Sequence, residues 1–200
     1  MKLDKKGVDF IVGEETGGKD YYEKVYKCAF IWPGGFSGAT AMVGIDIGYY
    51  TEAEVNLFFK PLTSSDELEL IQEGRGKKGE LAQAYVKKYL NKITFTWDEA
   101  VQTFETHTLP KFTNYTVKAF PGVEELSAAA QASLVSLVFN RGMAMRGESR
   151  KEMLAIKGLV PDKNYTAIAA QLRSMKRLWD KTSGLVVRRE REAKLVESCI

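Results

Sequence analysis

Histidine and cysteine are nearly absent from this chain: His107, Cys28 and Cys199 are the only ones among its 200 residues. A zinc site needs several such ligands at short spacing, and a Cys–His pair needs both types together, so neither metal nor thiol chemistry is expected. No cofactor is expected either. Cys199, next to the last residue, reads as a free thiol on a loose end, and its pairing with Cys28 cannot be deduced from spacing. Long apolar runs are missing, which excludes a membrane-spanning helix. The opening Met1-Lys-Leu-Asp-Lys-Lys-Gly7 lacks the apolar core of a signal peptide. Charge of one sign is missing too. With 29 basic and 26 acidic residues the net charge is +3, too mild to imply nucleic-acid binding but of some help on an anionic polymer. There is no internal repeat, low-complexity tail or appended module. The 44% hydrophobic content suits one globular domain, or two lobes sharing a long helix, and a monomer.

What is present concentrates near the N-terminus. Val8, Ile11, Val12 and Glu15 share one helix face, and that face is apolar. Glu15 is therefore expected where the core begins, with Glu14 rotated toward solvent, and Gly17 and Gly18 stop the helix. A carboxyl losing hydration there should have a raised pKa, as a general acid needs. The helix alone leaves a plainer reading open, a polar residue at a helix terminus. Next, Pro33, Gly34, Gly35, Gly38, Gly44 and Gly48 crowd the segment from Trp32 to Tyr50, which predicts tight turns and a short twisted β-hairpin or meander. A strand there puts Thr40, Met42 and Gly44 on one side and Ala41, Val43 and Ile45 on the other, with Asp46 just beyond. Alone, Asp46 is equally a turn aspartate and Thr40 an ordinary strand threonine. Together with Glu15 they supply two carboxyls and a hydroxyl, the groups that hydrolyse a glycosidic bond.

The rest reads as almost entirely helical. Thr51…Glu54, Ser64…Glu67, Thr96…Glu99 and Ser149…Glu152 fit the capping-box pattern and open helices near 51–61, 64–73, 96–108 and 149–158. Leu81, Ala84, Tyr85 and Tyr89 form the apolar stripe of a helix near 78–90, and Ile168, Leu172, Met175 and Leu178 that of one near 164–180. Arg75–Gly79 is a basic, solvated connector rather than a phosphate loop. Pro110, Pro121 and Gly122 break the helical pattern over 109–125. Leu134, Val135, Leu137, Val138 and Phe139 make the 127–142 helix apolar nearly all round, hence buried, with Gly142 as its C-cap. Asn140 and Arg141 fall at its end, where they either cap the helix or reach a cleft. Arg188 and Glu192 are spaced to pair on the surface of the last helix.

Ser37, Gly38, Thr40, Gly44, Asp46, Gly48 and Tyr49, following Glu15, give the chain a pattern that resembles the phage-type lysozymes, and most of all the branch containing the bacteriocin pesticin. In that branch Thr and Asp stand six apart, as Thr40 and Asp46 do. Met42 is a departure, standing where the family often has the first glycine of T-I-G-I-G. Ala132–Gly142 resembles the family's buried central helix ending in FN-x-G, and Gly184–Leu195 resembles its closing GL-x-x-RR-x-x-E helix.

This resemblance implies an α+β, mainly helical, lysozyme-like fold. It is a single domain over 1–200, with a helix-and-sheet lobe over about 1–62, a helical lobe over about 63–200 and a cleft between them. It also implies a muramidase that cuts the N-acetylmuramic acid–N-acetylglucosamine bond of peptidoglycan. Glu15 would act as the acid, Asp46 and Thr40 would activate and hold a water with inversion, and Asn140 and Arg141 would contact substrate. A lytic transglycosylase and a non-catalytic glycan binder are the alternatives. No stable membrane insertion is expected, since no run is long and apolar enough to span a bilayer. Acting on the wall without a signal peptide requires pore-dependent or effector-type release.

Overall fold

A computed structural model describes residues 1–199. The chain is mainly helical, with one two-stranded antiparallel sheet. It divides into two compact units, Glu15–Thr108 and Met1–Glu14 together with Leu109 onward. The boundary expected near residue 62 thus lies inside the first unit.

Helix α1, Lys5–Thr16, opens the chain. Val8, Ile11 and Val12 are buried as its apolar face requires, and Gly17, at φ +76°, ends it in the left-handed conformation that glycine adopts without strain. In the Glu15–Thr108 unit, α2 (Lys19–Lys24) leads to strands β1 (Thr40–Ala41) and β2 (Ile45–Asp46). Helices α3 (Glu52–Phe59), α4 (Ser65–Gly74), α5 (Glu80–Tyr85) and α6 (Trp97–Thr103) follow. Phe30, Phe59 and Phe95 form the aromatic centre, with ring centroids 5.4–5.8 Å apart, each ring worth about 1.5–3 kcal/mol when fully buried. Ala29 and Thr94 are partners in an antiparallel bridge, and Phe95 N–H donates to Cys28 O at 2.8 Å, which ties the segment after α2 to the one before α6.

The other unit packs α7 (Leu109–Ala119), α8 (Ala128–Arg141), α9 (Lys151–Leu159), α10 (Tyr165–Ser174) and α11 (Gly184–Glu197). Helix α8 is buried over Ala132–Val138, capped by Ser127 and ended by Gly142 at φ +70°. Gly7 of α1 meets it so closely that an added Cβ would lie 2.8 Å from the Ala132 Cβ.

The capping boxes at Thr51, Ser64 and Thr96 all form. The one at Ser149 does not. A 3₁₀ turn spans Glu148–Arg150, and Glu152, 1% exposed, accepts instead from Arg177 Nε at 2.6 Å. The expected break over 109–125 is also corrected: α7 runs through Pro110. A π-turn, Phe104–Thr108, directly precedes α7, and its wider ring accommodates a residue without an N–H in the first turn. The chain does break at Pro121–Gly122. The apolar stripe of α5 and the π-turn after it (Val86–Leu90) is Ala82, Tyr85, Val86 and Leu90. Leu81 is 72% exposed, so the predicted stripe was rotated by one position.

Candidate functional site

Glu15 lies in the last turn of α1, half-buried. It lines a pocket of about 200 Å³ with Tyr22, Tyr26, Ile31, Thr40 and Met42. Apolar and aromatic groups dominate these walls, so water is partly excluded and polar interactions inside gain strength. Glu14 departs from expectation. Its side chain is only 8% exposed and it pairs with Arg191 at 3.2 Å, so it is held by α11 rather than turned to solvent.

The hairpin accounts for the spacing of Thr40 and Asp46. A three-residue turn, Met42–Gly44, reverses the chain after only two strand residues. Thr40 and Asp46 are consequently register partners, directly opposite each other. Both backbone bonds of Thr40 go outward to Ile31, at 2.8 Å each, while Ile47 N–H donates to Ala39 O. Thr40–Asp46 is therefore a pair without mutual backbone bonds, the closer kind, with Cβ atoms roughly 4.5–5.5 Å apart on one face. The alternation expected to continue past Ala41 does not occur, because Met42–Gly44 form the turn and Ile45 belongs to the returning strand β2. Met42 takes φ +52° and Gly44 φ +72°. Met42 thus keeps the backbone conformation that glycine favours, at the strain cost of a side chain there, and its buried side chain becomes pocket wall.

Asp46 is held by the glycines around it. Its Oδ2 accepts from Gly38 N–H and its Oδ1 from Gly48 N–H, both at 2.9 Å. A Cβ on Gly38 would sit 2.2 Å from Oδ1, and one on Gly48 2.9 Å from it. Only two residues without side chains let both backbone amides approach one carboxylate so closely. Each carboxylate oxygen retains further lone pairs, so Asp46 can still accept a proton or orient a water. Thr40 Oγ1 donates weakly to Gly38 O at 3.4 Å and keeps its acceptor capacity.

The structure therefore brings Glu15 and Thr40 to one pocket and sets Asp46 beside Thr40. Asp46 itself is not among that pocket's lining residues. Sequence reasoning missed Tyr22 and Tyr26, whose four-residue spacing after the Gly17–Gly18 stop was the available signal. Tyr22 is fixed by its hydroxyl donating to Phe95 O at 2.8 Å. Burial, and then the neighbouring Tyr21, push the Tyr26 phenol above its ordinary value.

The remaining expected site residues lie in the other unit. Asn140 is exposed at the end of α8. Arg141 donates through Nη2 to Ser149 O at 2.6 Å and lies 5.0 Å over the Trp179 ring, so it closes the loop after α8. The Arg188–Glu192 pair forms, but in the core rather than on the surface: Glu192 is 0% exposed. Its Oε1 accepts from Arg188, Arg189 and Ser136. Among the described residues no cluster of His, Cys, Asp and Glu could hold a metal ion, and no helix is long and apolar enough to cross a membrane. Among known proteins, no family model matches the chain and no curated protein matches it.

Proposed function

We propose that this protein is a peptidoglycan hydrolase with a lysozyme-like fold, cleaving the β-1,4 bond between N-acetylmuramic acid and N-acetylglucosamine. The observation that carries this reading is the hairpin register. It sets Thr40 opposite Asp46 while Thr40 and Glu15 share one pocket. Glu15 supplies the proton to the leaving oxygen from a partly apolar site. Asp46, oriented by Gly38 and Gly48, takes the proton of an attacking water, and the Thr40 hydroxyl positions that water. A water held between Asp46 and Thr40 attacks from the face opposite the leaving group, so the product forms with inversion.

The test is lysis of outer-membrane-permeabilised Gram-negative cells, followed as turbidity loss, by the parent, Glu15→Gln and Asp46→Asn. Both variants are expected to lose about 10²-fold or more of the activity, the usual worth of general acid–base catalysis; Asp46→Asn also gives up one of the two glycine N–H bonds, so melting curves are recorded beside the lysis assay. Products should carry reducing ends, initially in the inverted anomer. Equal lysis by parent and Glu15→Gln removes Glu15 from its role. A 1,6-anhydro product identifies a transglycosylase, and wall binding without turnover a glycan-binding protein.

A further inference from the structure

Phe36 is 88% exposed and Tyr49 61% exposed. A phenyl ring held almost wholly in water contributes little to folding and leaves its face open to a ligand. The two aromatics are not loosely placed. Tyr49 OH donates to Phe36 O at 3.0 Å, and Gly79 N–H donates to Ser37 O at 3.0 Å. These bonds join the 33–37 loop, the 47–50 turn and the Arg75–Gly79 connector into one surface. Lys78 from that connector sits with Nζ 3.5 Å from the Tyr49 ring centroid, an arrangement that keeps both groups oriented. The same loops are rooted at Gly38 and Gly48, whose amides hold Asp46. Pro33 at the start of the first loop also lines the Glu15 pocket. The loop that carries Phe36 therefore begins at the pocket wall, and Tyr49 directly follows a glycine that holds Asp46.

Resting on the glycosidase reading, we infer that Phe36, Tyr49 and Lys78 form a substrate subsite for a glycan strand carrying acidic stem peptides. The open Phe36 face is electron-rich and accepts the polarised C–H groups on the apolar face of a sugar ring. The Lys78 ammonium, which lies over one face of the Tyr49 ring, meets the carboxylates of the stem peptide, a charge match in which salt weakens the attraction. A neutral polysaccharide would use the rings and leave the cation idle.

The experiment uses the full chain with Glu15→Gln, so that the polymer stays intact. It measures co-sedimentation with insoluble peptidoglycan and with chitin, a neutral β-1,4 polymer of N-acetylglucosamine that carries neither stem peptides nor lactyl carboxylates. Adding Phe36→Ala should weaken binding to both polymers by about threefold to tenfold. Adding Lys78→Gln should weaken binding to the peptide-bearing polymer alone and flatten its salt dependence. Melting temperatures should match throughout, since both side chains are exposed. Unchanged binding with Phe36→Ala, or equal loss on both polymers with Lys78→Gln, overturns the subsite while leaving the glycosidase standing. Failure of the Glu15→Gln background to bind either polymer overturns both readings. A dimer that Phe36→Ala dissolves assigns the face to a second copy of the chain and also overturns the subsite.

Discussion

At the scale of single residues, the placement of Asp46 in the candidate site depends on two glycines. Gly38 is not in a left-handed conformation, so its requirement is space alone: the Asp46 carboxylate and the Gly48 backbone occupy the volume a Cβ would need. Gly38→Ala should cost about 1–3 kcal/mol of stability through overpacking. It should also lower activity more than the stability loss explains, because Asp46 must swing away. Urea denaturation alongside lysis assays checks both. That Gly38 and Gly48 flank Asp46 was legible in the sequence; that both amides converge on it was not, since convergence requires the hairpin to close. The opposite held for Glu14. Helical periodicity turned it outward, but Arg191, far along the chain, reaches it. A periodic pattern describes one helix and is blind to a long cation arriving from another.

At the scale of elements, local rules worked where the competing contacts were local. Three capping boxes formed because a hydroxyl and a carboxylate three residues on satisfy each other's backbone without help from elsewhere. Ser149 failed for a tertiary reason, its partner Glu152 being taken by Arg177. Helix α11 shows the same override. Its Arg188 and Glu192 obey the four-residue spacing, yet the pair lies in the core with Ser136 and Arg189. Burial pushes the Arg189 guanidinium down to about 10 and the Glu192 carboxyl up, so desolvation opposes both charges. Such a cluster adds little net stability, but removing one sign leaves the other stranded. Glu192→Ala should therefore destabilise by about 3–5 kcal/mol, read as a shift in denaturant midpoint, whereas an exposed pair such as Lys5–Asp9 should change it by less than about 1 kcal/mol when broken.

At the scale of the whole molecule, acid stability is set by carboxylates that folding makes easier to ionise. A hydrogen bond from Arg173 holds Glu197 below its ordinary value of 4.5, and one from Lys176 does the same for Glu190. The Ser64 backbone N–H lowers Glu67, and Lys151 lowers Glu148. Groups with depressed folded-state values contribute stability in full above the unfolded value and lose it as pH falls through the depressed one. The melting temperature should hold near neutrality and drop once pH falls below 4.5. Arg173→Gln should melt lower than the parent near neutral pH and converge on it in acid, as thermal scans at a series of pH values would show. A gap that persists in acid would mean that Arg173 acts through packing instead.

By itself the sequence determined the helical character of the chain, the buried helix α8, most helix starts and the turn-rich hairpin. These follow from periodicity, capping chemistry and glycine, all of which act over a few residues. It also brought forward Glu15, Thr40 and Asp46 as candidates. The tertiary structure alone decided that Thr40 faces Asp46 across two strands, that Tyr22 and Tyr26 wall the Glu15 pocket, and that Arg188 and Glu192 are core rather than surface. It also let α7 run through Pro110 and set Lys78 over the Tyr49 ring. Each of these depends on which distant side chain competes for a given proton, volume or charge. That competition is settled by packing between segments remote in sequence, where local spacing carries no information.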